Sequence, residues 1–307
     1  LPPYTHQYAN NCYRMDIFPL TILYYLYGTS DINWPQKDGR VSLKLENLNK
    51  ENHLAQGAAH DAMVDVLATI ALAKLLSKNE TMWGFLCGYF EKQTDIARLK
   101  QLPYAFPDTH HQQGLVFNNA FGYKQHLQSL ALCLGTHRHY KNQQCWLRLD
   151  LPELCETQID QLEKTTWVIR KKLGDTPIIL PTHDRFMKHL NEKRLNIIKK
   201  NKSFLEKNPA TLTAITNHYL DYTYPLVPQA DVDSVLYQTG FLSRQDQKRC
   251  EQFHQAPLTE KQMLINDFES CETQELAIRL IGRNYLCDNP NALKGKHLET
   301  YQHYLDT

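Results

Sequence analysis

The stretch AAHDAMVDVLATIALAKLL, residues 58–76, decides how we divide the chain. Its apolar residues recur at helical spacing, which predicts an amphipathic helix. The predicted apolar stripe consists of Met63, Val66, Leu67, Ile70 and Ala73. His60, Asp61 and Asp65 stand at the beginning of this helix, so the sequence raises the question of whether they serve chemistry or only the helix.

The spacing of His60 and Asp65 leaves both answers open. Five residues correspond to about 500° of rotation on a regular helix, so the two side chains would point in different directions if both were helical. They could share a site if His60 precedes the first turn. An acid such as Asp61 or Asp65 also stabilises a helix start by interacting with the positive end of the helix dipole.

Composition excludes several broad classes of protein. The 307 residues are 42% hydrophobic, which is enough for two or three domains. Since 34 Lys and Arg face 33 Asp and Glu, net charge gives no reason to expect nucleic acid, a membrane or an acidic substrate. The eight cysteines form no CxxC pair, so we expect reduced thiols in a cytoplasmic protein.

From the sequence we expect neither a targeting segment nor a membrane span. No apolar run is long enough to span a bilayer, and no signal peptide opens the chain. Because Leu1 rather than Met comes first, we expect that the natural start is missing.

The first 80 residues predict helices. Residues 13–27 predict a helix that contains Pro19 and ends at Gly28, residues 31–40 predict a loop, and residues 42–52 predict a shorter helix. This block contains no predicted strand, so it resembles half of a domain. We therefore expect an exposed apolar face, which favours self-association.

After Lys78 the patterns change. Residues 83–100 predict a helix, and GLVFNN, SLALCLG, CWLRLDL and TPIIL predict short strands. In CWLRLDL, leucines alternate with other residues, as in a strand with one exposed face. A helix is predicted around 157–172, so the region suggests a small barrel or meander with insertions. A basic helix at 190–207 and further helical patterns follow.

Two neighbouring stretches resemble a known family. SLKLENLNKENHL and AAHDAMVDVLATIALAKLL are similar to the third conserved block of the DEDDh 3′-to-5′ exonucleases, specifically of the bacterial exodeoxyribonuclease I family. That block has a basic residue before Leu-Glu-x-Leu, then Ala-His-Asp-Ala-x-x-Asp, here Lys44, 45–48 and 59–65. INWP, DVDSVLYQTGFLS and LAIRLIGRNY are similar in the same order, so the resemblance extends almost to the end of the chain.

The resemblance implies an α+β multidomain fold. Residues 1–80 would be the C-terminal part of a ribonuclease H-like α/β exonuclease domain, and 81–205 an SH3-like β domain with helical insertions. Residues 206–307 would be a truncated helical C-terminal domain. The chain is then expected to be a fragment that lacks the N-terminal part of the exonuclease domain and the extreme C-terminus.

The implied reaction is Mg²⁺-dependent 3′-to-5′ degradation of single-stranded DNA, which releases nucleoside 5′-monophosphates in DNA repair and recombination. Asp65 would be a magnesium ligand and His60 the general base. Two metal ions can stabilise both ends of an in-line displacement, and Mg²⁺ prefers carboxylate oxygens. The family's Asp-x-Glu pair and its second-block Asp have no counterpart here, so we expect that this chain does not hold two metals by itself.

The resemblance also implies substrate contacts. Single strands are gripped by aromatic stacking and by basic side chains. The candidates are Tyr4, Tyr8, Lys44, Lys92, Asn142, Gln144, His183 and Arg185. The same regions also have ordinary structural explanations: Tyr4 and Tyr8 as terminal tyrosines, 136–144 as a solvated hairpin and 190–207 as a solvated linker helix. For the hairpin and the helix, the structural explanation is the more common one.

Partners and alternatives complete the expectations. The resemblance implies docking to the C-terminal tail of single-stranded DNA-binding protein, no membrane contact and a monomer when intact. A different hypothesis is a catalytically inactive fragment that retains single-stranded DNA or partner binding. A DEDDh ribonuclease is disfavoured, since the similarity beyond residue 80 follows exodeoxyribonuclease I.

Overall fold

A computed structural model describes residues 13–28, 32–57, 61–107, 109–228, 230–235, 238 and 240–306. The chain forms two compact units, Leu1–Thr223 and Tyr224–Thr307. The division into three domains predicted from the sequence is finer than this one and stays a prediction.

The first unit begins with a mostly helical block. It contains α1 (Ile17–Tyr27), a hairpin of β1 (Gln36–Lys37) and β2 (Arg40–Val41), α2 (Leu45–Asn52) and α3 (Ala62–Ser77). The loop expected at 31–40 therefore contains a small hairpin, and the prediction of no strand is wrong. Pro19 lies in the first turn of α1, where the helix does not need its missing N–H.

Helix α3 exposes the stripe that the sequence singled out. Its buried residues are Ala68, Leu72 and Leu76, and the hydroxyl of Tyr24 in α1 donates to the Leu76 carbonyl at 2.7 Å. The exposed apolar residues are Met63 at 65%, Val66 at 51%, Leu67 at 50% and Ile70 at 47%. This agrees with the expected exposed apolar face.

A five-stranded antiparallel sheet follows. Helices α4 (Glu80–Cys87) and α5 (Lys92–Lys100) replace the single helix predicted at 83–100. The strands are β3 (Gln113–Phe117), β4 (Gln128–Thr136), β5 (Gln143–Arg148), β6 (Val168–Lys172) and β7 (Ile178–Leu180), in the order β6-β5-β4-β3-β7. Four consecutive strands thus form the predicted meander, and β7 pairs with β3.

One strand was missed by the sequence analysis. β6 falls inside the helix predicted at 157–172, where the structure has only a 3-10 turn at Ile159–Gln161 and the short α6 (Leu162–Thr165) before it. The alternating burial of β6, with Ile169 and Lys171 turned inward, is the strand pattern that the helix prediction overlooked.

Both faces of the central strands are buried. In β5, Leu147 packs in the larger hydrophobic core, and Trp146 packs in a second core with Val116 and Ala131. Leu99 of α5 belongs to that second core. The prediction that CWLRLDL exposes one face is therefore wrong, because the second core, which includes Leu99 of α5, buries Trp146 as completely as the larger core buries Leu147.

The basic helix is α8 (Glu192–Lys207), preceded by α7 (Asp184–Met187) and followed in the same unit by α9 (Pro209–Asp221). Arg194 of α8 is turned inward, where its Nε donates to the Asp150 carboxylate at 2.8 Å. Asp150 also accepts from Ser129 at 2.7 Å. This buried network anchors α8 to the sheet. The outward lysines of α8 are Lys193, Lys199, Lys200 and Lys207.

The second unit is helical, as expected. It contains α10 (Arg244–Gln255), α11 (Leu258–Leu264), α12 (Cys271–Tyr285) and α13 (Lys296–Asp306). A Cβ at Gly282 would lie 2.3 Å from Cε2 of Tyr301, so glycine allows α12 and α13 to pack closely. Arg279 of α12 donates to Asp231 and Asp233, which fixes the segment before α10.

The sequence predicted reduced cysteines and no membrane-spanning segment. Seven cysteines fall in the described part of the chain, and all of them are free thiols. Within the same part, none of the helices combines the length and the apolar character that a membrane span requires.

Candidate functional site

Asp61 and Asp65 of the opening stretch both lie at the start of α3. Asp61 is the N-cap of α3, and its side chain accepts from the backbone N–H groups of Met63 at 2.9 Å and Val64 at 3.2 Å. Asp61 therefore has the structural role that the helix dipole suggested. His60 lies outside the described residues.

Gly57 lies close to the start of α3. Its φ of +132° is in a region that side chains disfavour, and an added Cβ would lie 2.4 Å from Cγ2 of Val64. Gly57 therefore packs directly against Val64 in the first turn of α3.

Asp65 lines a cavity of about 600 Å³ between α2 and α3, which we call the acidic cavity. Glu46 in the first turn of α2 lines the same cavity, together with Asn49, Lys50 and His53. The side-chain oxygen of Asn49 accepts from the Ala55 N–H at 2.7 Å and so holds the chain that leaves α2. The carboxylates of Glu46 and Asp65, which are 19 positions apart in the sequence, thus line the same cavity.

The acidic cavity has only part of what two metal ions need. Among the described residues, no group of three or more His, Cys, Asp and Glu side chains is placed to hold a metal. Mg²⁺ is commonly bound by one or two carboxylates together with substrate phosphates. Asp65 and Glu46 could supply that much, but they do not assemble the two-metal site that the resemblance implies.

Lys44, the candidate phosphate contact, lies at the edge of this region. It is the N-cap of α2, and its side chain is exposed. Glu46 follows two residues later, so the basic side chain of Lys44 and the acidic side chain of Glu46 both belong to the start of α2. Tyr4 and Tyr8, the candidate stacking residues, lie outside the described part of the chain.

Three further candidates meet at the turn that follows β6. The Leu173 N–H donates to the carbonyl of Asn142 at 2.9 Å, which joins this turn to the β4–β5 hairpin. Gly174 packs against Lys92, since a Cβ there would lie 3.0 Å from Cα of Lys92. Gln144 pairs with Lys171 of β6. The structure therefore brings Lys92, Asn142 and Gln144 to one end of the sheet.

A buried ion pair holds this end together. Nζ of Lys171 lies 2.8 Å from Oδ2 of Asp95 in α5, and both side chains are 0% exposed. The same Asp95 oxygen accepts from the Gly174 N–H at 2.7 Å. Burial raises the pKa of Asp95 and lowers that of Lys171, although each partner's charge opposes the shift.

His183 and Arg185 belong to a different element. His183 is the N-cap of α7, and Arg185 follows in its first turn with its guanidinium 4.5 Å from the centre of the Phe186 ring. Both side chains are exposed. Leu180, three positions before His183, is 1% exposed and belongs to the core.

A groove of about 570 Å³ runs between α8 and the sheet, and we call it the α8 groove. Its apolar floor includes Phe106, Leu130 and Ile198, and Lys199, Lys202 and Glu206 border it. Lys202 is partly buried, and its Nζ donates to the Gln113 side chain at 2.9 Å.

The comparisons with known proteins agree with the resemblance. A protein of Buchnera aphidicola subsp. Acyrthosiphon pisum (strain APS) named exodeoxyribonuclease I is 27% identical over 308 residues, which is 92% of this chain and 70% of the relative. The exodeoxyribonuclease I of Escherichia coli (strain K12) is 27% identical over 267 residues, 80% of this chain and 54% of the relative. This chain is similar to exodeoxyribonuclease I. No family model matches it.

Solved structures extend the similarity to the fold. E. coli exonuclease I in complex with a 5cy-dT13 oligonucleotide has a TM-score of 0.78 at 22% identity and covers 99% of this chain, which spans 65% of that structure. A structure of SSB/exonuclease I with the inhibitor CFAM has a TM-score of 0.74 at 21% identity. The predicted mixed α and β fold of exodeoxyribonuclease I is therefore confirmed.

The sequence analysis did not assign Glu46 to the site of Asp65. Glu46 is part of the Leu-Glu-x-Leu run, but an isolated helix gives no indication of which neighbour it faces. The packing of α2 on α3 brings Glu46 and Asp65 to one cavity.

Proposed function

We propose that this chain functions in the Mg²⁺-dependent 3′-to-5′ degradation of single-stranded DNA, releasing nucleoside 5′-monophosphates during DNA repair and recombination in the cytoplasm. The observation that carries the proposal is the acidic cavity, where Asp65 and Glu46 face one space beside Lys44. The chain spans 70% and 54% of the two curated relatives described above, so the activity of those whole proteins is a proposal for this one.

Each residue has a proposed part in this reaction. Lys44 is exposed at the start of α2 and contacts a phosphate as a point charge. His60, in its neutral form, takes a proton from the attacking water, for which an imidazole is suited near neutral pH. Asp65 is assigned to a metal ion by resemblance. The described carboxylates do not complete a two-metal site.

A second candidate function is a binding protein without hydrolysis. The incomplete metal-ligand group favours it. The arrangement of Lys92, Asn142 and Gln144 around one turn also favours it, since these side chains need no metal to contact single-stranded DNA.

Digestion of end-labelled single strands separates the two functions. The whole chain is incubated in Mg²⁺ with 3′-labelled and 5′-labelled oligonucleotides, and Asp65→Asn is compared with Asp61→Asn. Asparagine is also a good N-cap, so the Asp61 variant keeps the helix start while it removes one charge. We expect release from the 3′ end that only Asp65→Asn abolishes.

Other outcomes are equally informative. If the wild-type chain binds the strands but does not cut them, the binding function replaces the exonuclease. If Asp65→Asn cuts at the wild-type rate, the proposed role of Asp65 is wrong.

We also propose that an intact monomer docks the C-terminal tail of single-stranded DNA-binding protein in the α8 groove. An apolar floor next to Lys199 and Lys202 suits a peptide that carries both apolar and acidic groups. Binding of a fluorescein-labelled tail peptide tests this in Lys199→Glu and in Lys200→Glu. Both lysines are exposed on α8, but only Lys199 lines the groove. Equal affinities for the two variants would contradict the assignment.

A further inference from the structure

A cavity of about 370 Å³ lies between the β1–β2 hairpin and the turn that precedes β4, and we call it the hairpin cavity. The hairpin contributes Gln36, Gly39, Arg40 and Val41. The other wall consists of Tyr123, Lys124, His126 and Leu127, and Tyr25 of α1 completes the lining. None of the candidate substrate residues that the structure describes lines this cavity.

The charge of the lining is one-sided. Arg40 and Lys124 are exposed cations from segments 84 positions apart, and none of the described residues that line the cavity is acidic. Neither cation has a hydrogen bond or an ion pair with any other described residue. Two cations that converge without a counter-charge form a site of positive potential, which favours an anion.

The surroundings of His126 add to that potential. Its ring centre lies 5.2 Å from that of His189. Burial, together with the nearby His189 and Arg194, lowers the pKa of His126. The imidazole is therefore neutral at pH 7 and offers a hydrogen-bonding ring nitrogen. A bound anion would favour its protonation.

Two tyrosine rings give the cavity an aromatic component. Tyr25 and Tyr123 both line it and are partly buried. The Tyr123 hydroxyl accepts from the Leu43 N–H at 3.2 Å, and Leu43 directly precedes Lys44. Arg40 and Lys44 are four positions apart in the sequence, a reach of at most about 14 Å. The hairpin cavity thus lies near the proposed phosphate contact.

We propose that the hairpin cavity binds one nucleotide, with its phosphate between Arg40 and Lys124 and its base against a tyrosine ring. A volume of about 370 Å³ is at the small end of ligand sites, which span roughly 300–1,000 Å³. The nucleotide comes either from the single strand or from a free 5′-mononucleotide. The proposed function is needed to name these sources, but not for the binding itself.

Direct binding measurements in EDTA test this without hydrolysis. The probes are dTMP, inorganic phosphate and a fluorescein-labelled dT oligonucleotide. Arg40→Ala/Lys124→Ala is compared with Lys78→Ala/Lys207→Ala, which removes two exposed lysines outside the cavity. We expect dTMP to bind at least tenfold more tightly than phosphate. The Arg40/Lys124 double variant should lose at least tenfold in dTMP affinity, and the control should change less than twofold.

The oligonucleotide identifies the source of the nucleotide. If the strand occupies the cavity, loss of the contact to this one phosphate lowers the slope of log affinity against log salt by about 0.7. If that slope is unchanged while dTMP binding weakens, the occupant is the free mononucleotide. The charge-retaining variant Arg40→Lys/Lys124→Arg should keep dTMP affinity within about threefold, which separates lost charge from lost fold.

Two results would overturn the inference. One is dTMP binding no tighter than phosphate, and the other is equal dTMP affinity in the double variant and its control. The proposed function fails separately: if the wild-type chain does not hydrolyse DNA but the Arg40/Lys124 dependence of dTMP binding holds, nucleotide binding stands without the exonuclease.

Discussion

Replacing Lys171 tests whether the buried ion pair holds the end of the sheet that presents Lys92 and Asn142. Lys171 and Asp95 are both 0% exposed, so each charge is stabilised mainly by the other. Removing one partner of a buried pair leaves an uncompensated charge and typically costs about 3–5 kcal/mol of unfolding free energy. We expect that loss for Lys171→Met and also for Asp95→Asn.

The double variant distinguishes charge pairing from simple packing. If the two residues acted independently, Lys171→Met/Asp95→Asn would lose about 6–10 kcal/mol, the sum of the two single losses. The double variant contains no buried charge at this position, and the asparagine oxygen still accepts from the Gly174 N–H, which Asp95 Oδ2 holds at 2.7 Å. We therefore expect the double variant to lose only about 1–3 kcal/mol, mainly for imperfect hydrogen bonding.

Urea unfolding of the whole chain, followed by tryptophan fluorescence, measures these losses. Trp146 is 0% exposed in the core that this end of the sheet closes, so it reports the transition. The single variants should also lower the melting temperature by roughly 6–20 °C for a unit of this size. Additive losses in the double variant, or single losses below about 1 kcal/mol, would refute the reasoning.

Three further outcomes follow from local geometry. Gly57→Ala should destabilise the turn before α3 because its φ is +132° and Cγ2 of Val64 is 2.4 Å from an added Cβ; a melting temperature equal to that of Gly39→Ala would contradict this. Hydrogen bonds from Arg279 lower the pKa of Asp231 to about 2, so the contribution of Asp231 to stability is present above about pH 4 and is lost between about pH 4 and pH 2. In Asp231→Asn, the melting temperature of the second unit should therefore depend less on pH in that window. A pH dependence equal to that of the wild type would count against this prediction. Ile70→Lys should reduce self-association at high concentration in size-exclusion chromatography, since Ile70 is 47% exposed on the apolar stripe; a wild-type monomer under the same conditions would remove the basis of this prediction.

Local patterns predicted several elements because their causes lie within the elements. Asp61 caps α3 through its own neighbours, and the strand patterns of β3, β4, β5 and β7 come from short apolar runs. The missed strand β6 (Val168–Lys172) could not be predicted in this way. Its five-residue sequence also fits a helix, and only pairing with β5 makes it a strand.

Burial was harder to predict than secondary structure. Trp146 and Leu147 are neighbours on β5 that point to opposite faces, and both are fully buried because each face of the sheet meets a different core. Alternation in the sequence cannot show whether the second face is covered. The same limit applies to α3, where apolar residues surround the helix and only packing determines that Leu72 is buried while Ile70 is exposed.

The sequence by itself determined the resemblance to exodeoxyribonuclease I, because residue order around Lys44 and Asp65 is a local property of the chain. Only the tertiary structure placed Glu46 beside Asp65, and only it brought Arg40 to Lys124 across 84 positions. Such sites depend on which faces of separate elements meet. That choice is made by the packing of the whole unit, through core contacts that include some of the residues lining each cavity, such as Leu127 in the hairpin cavity.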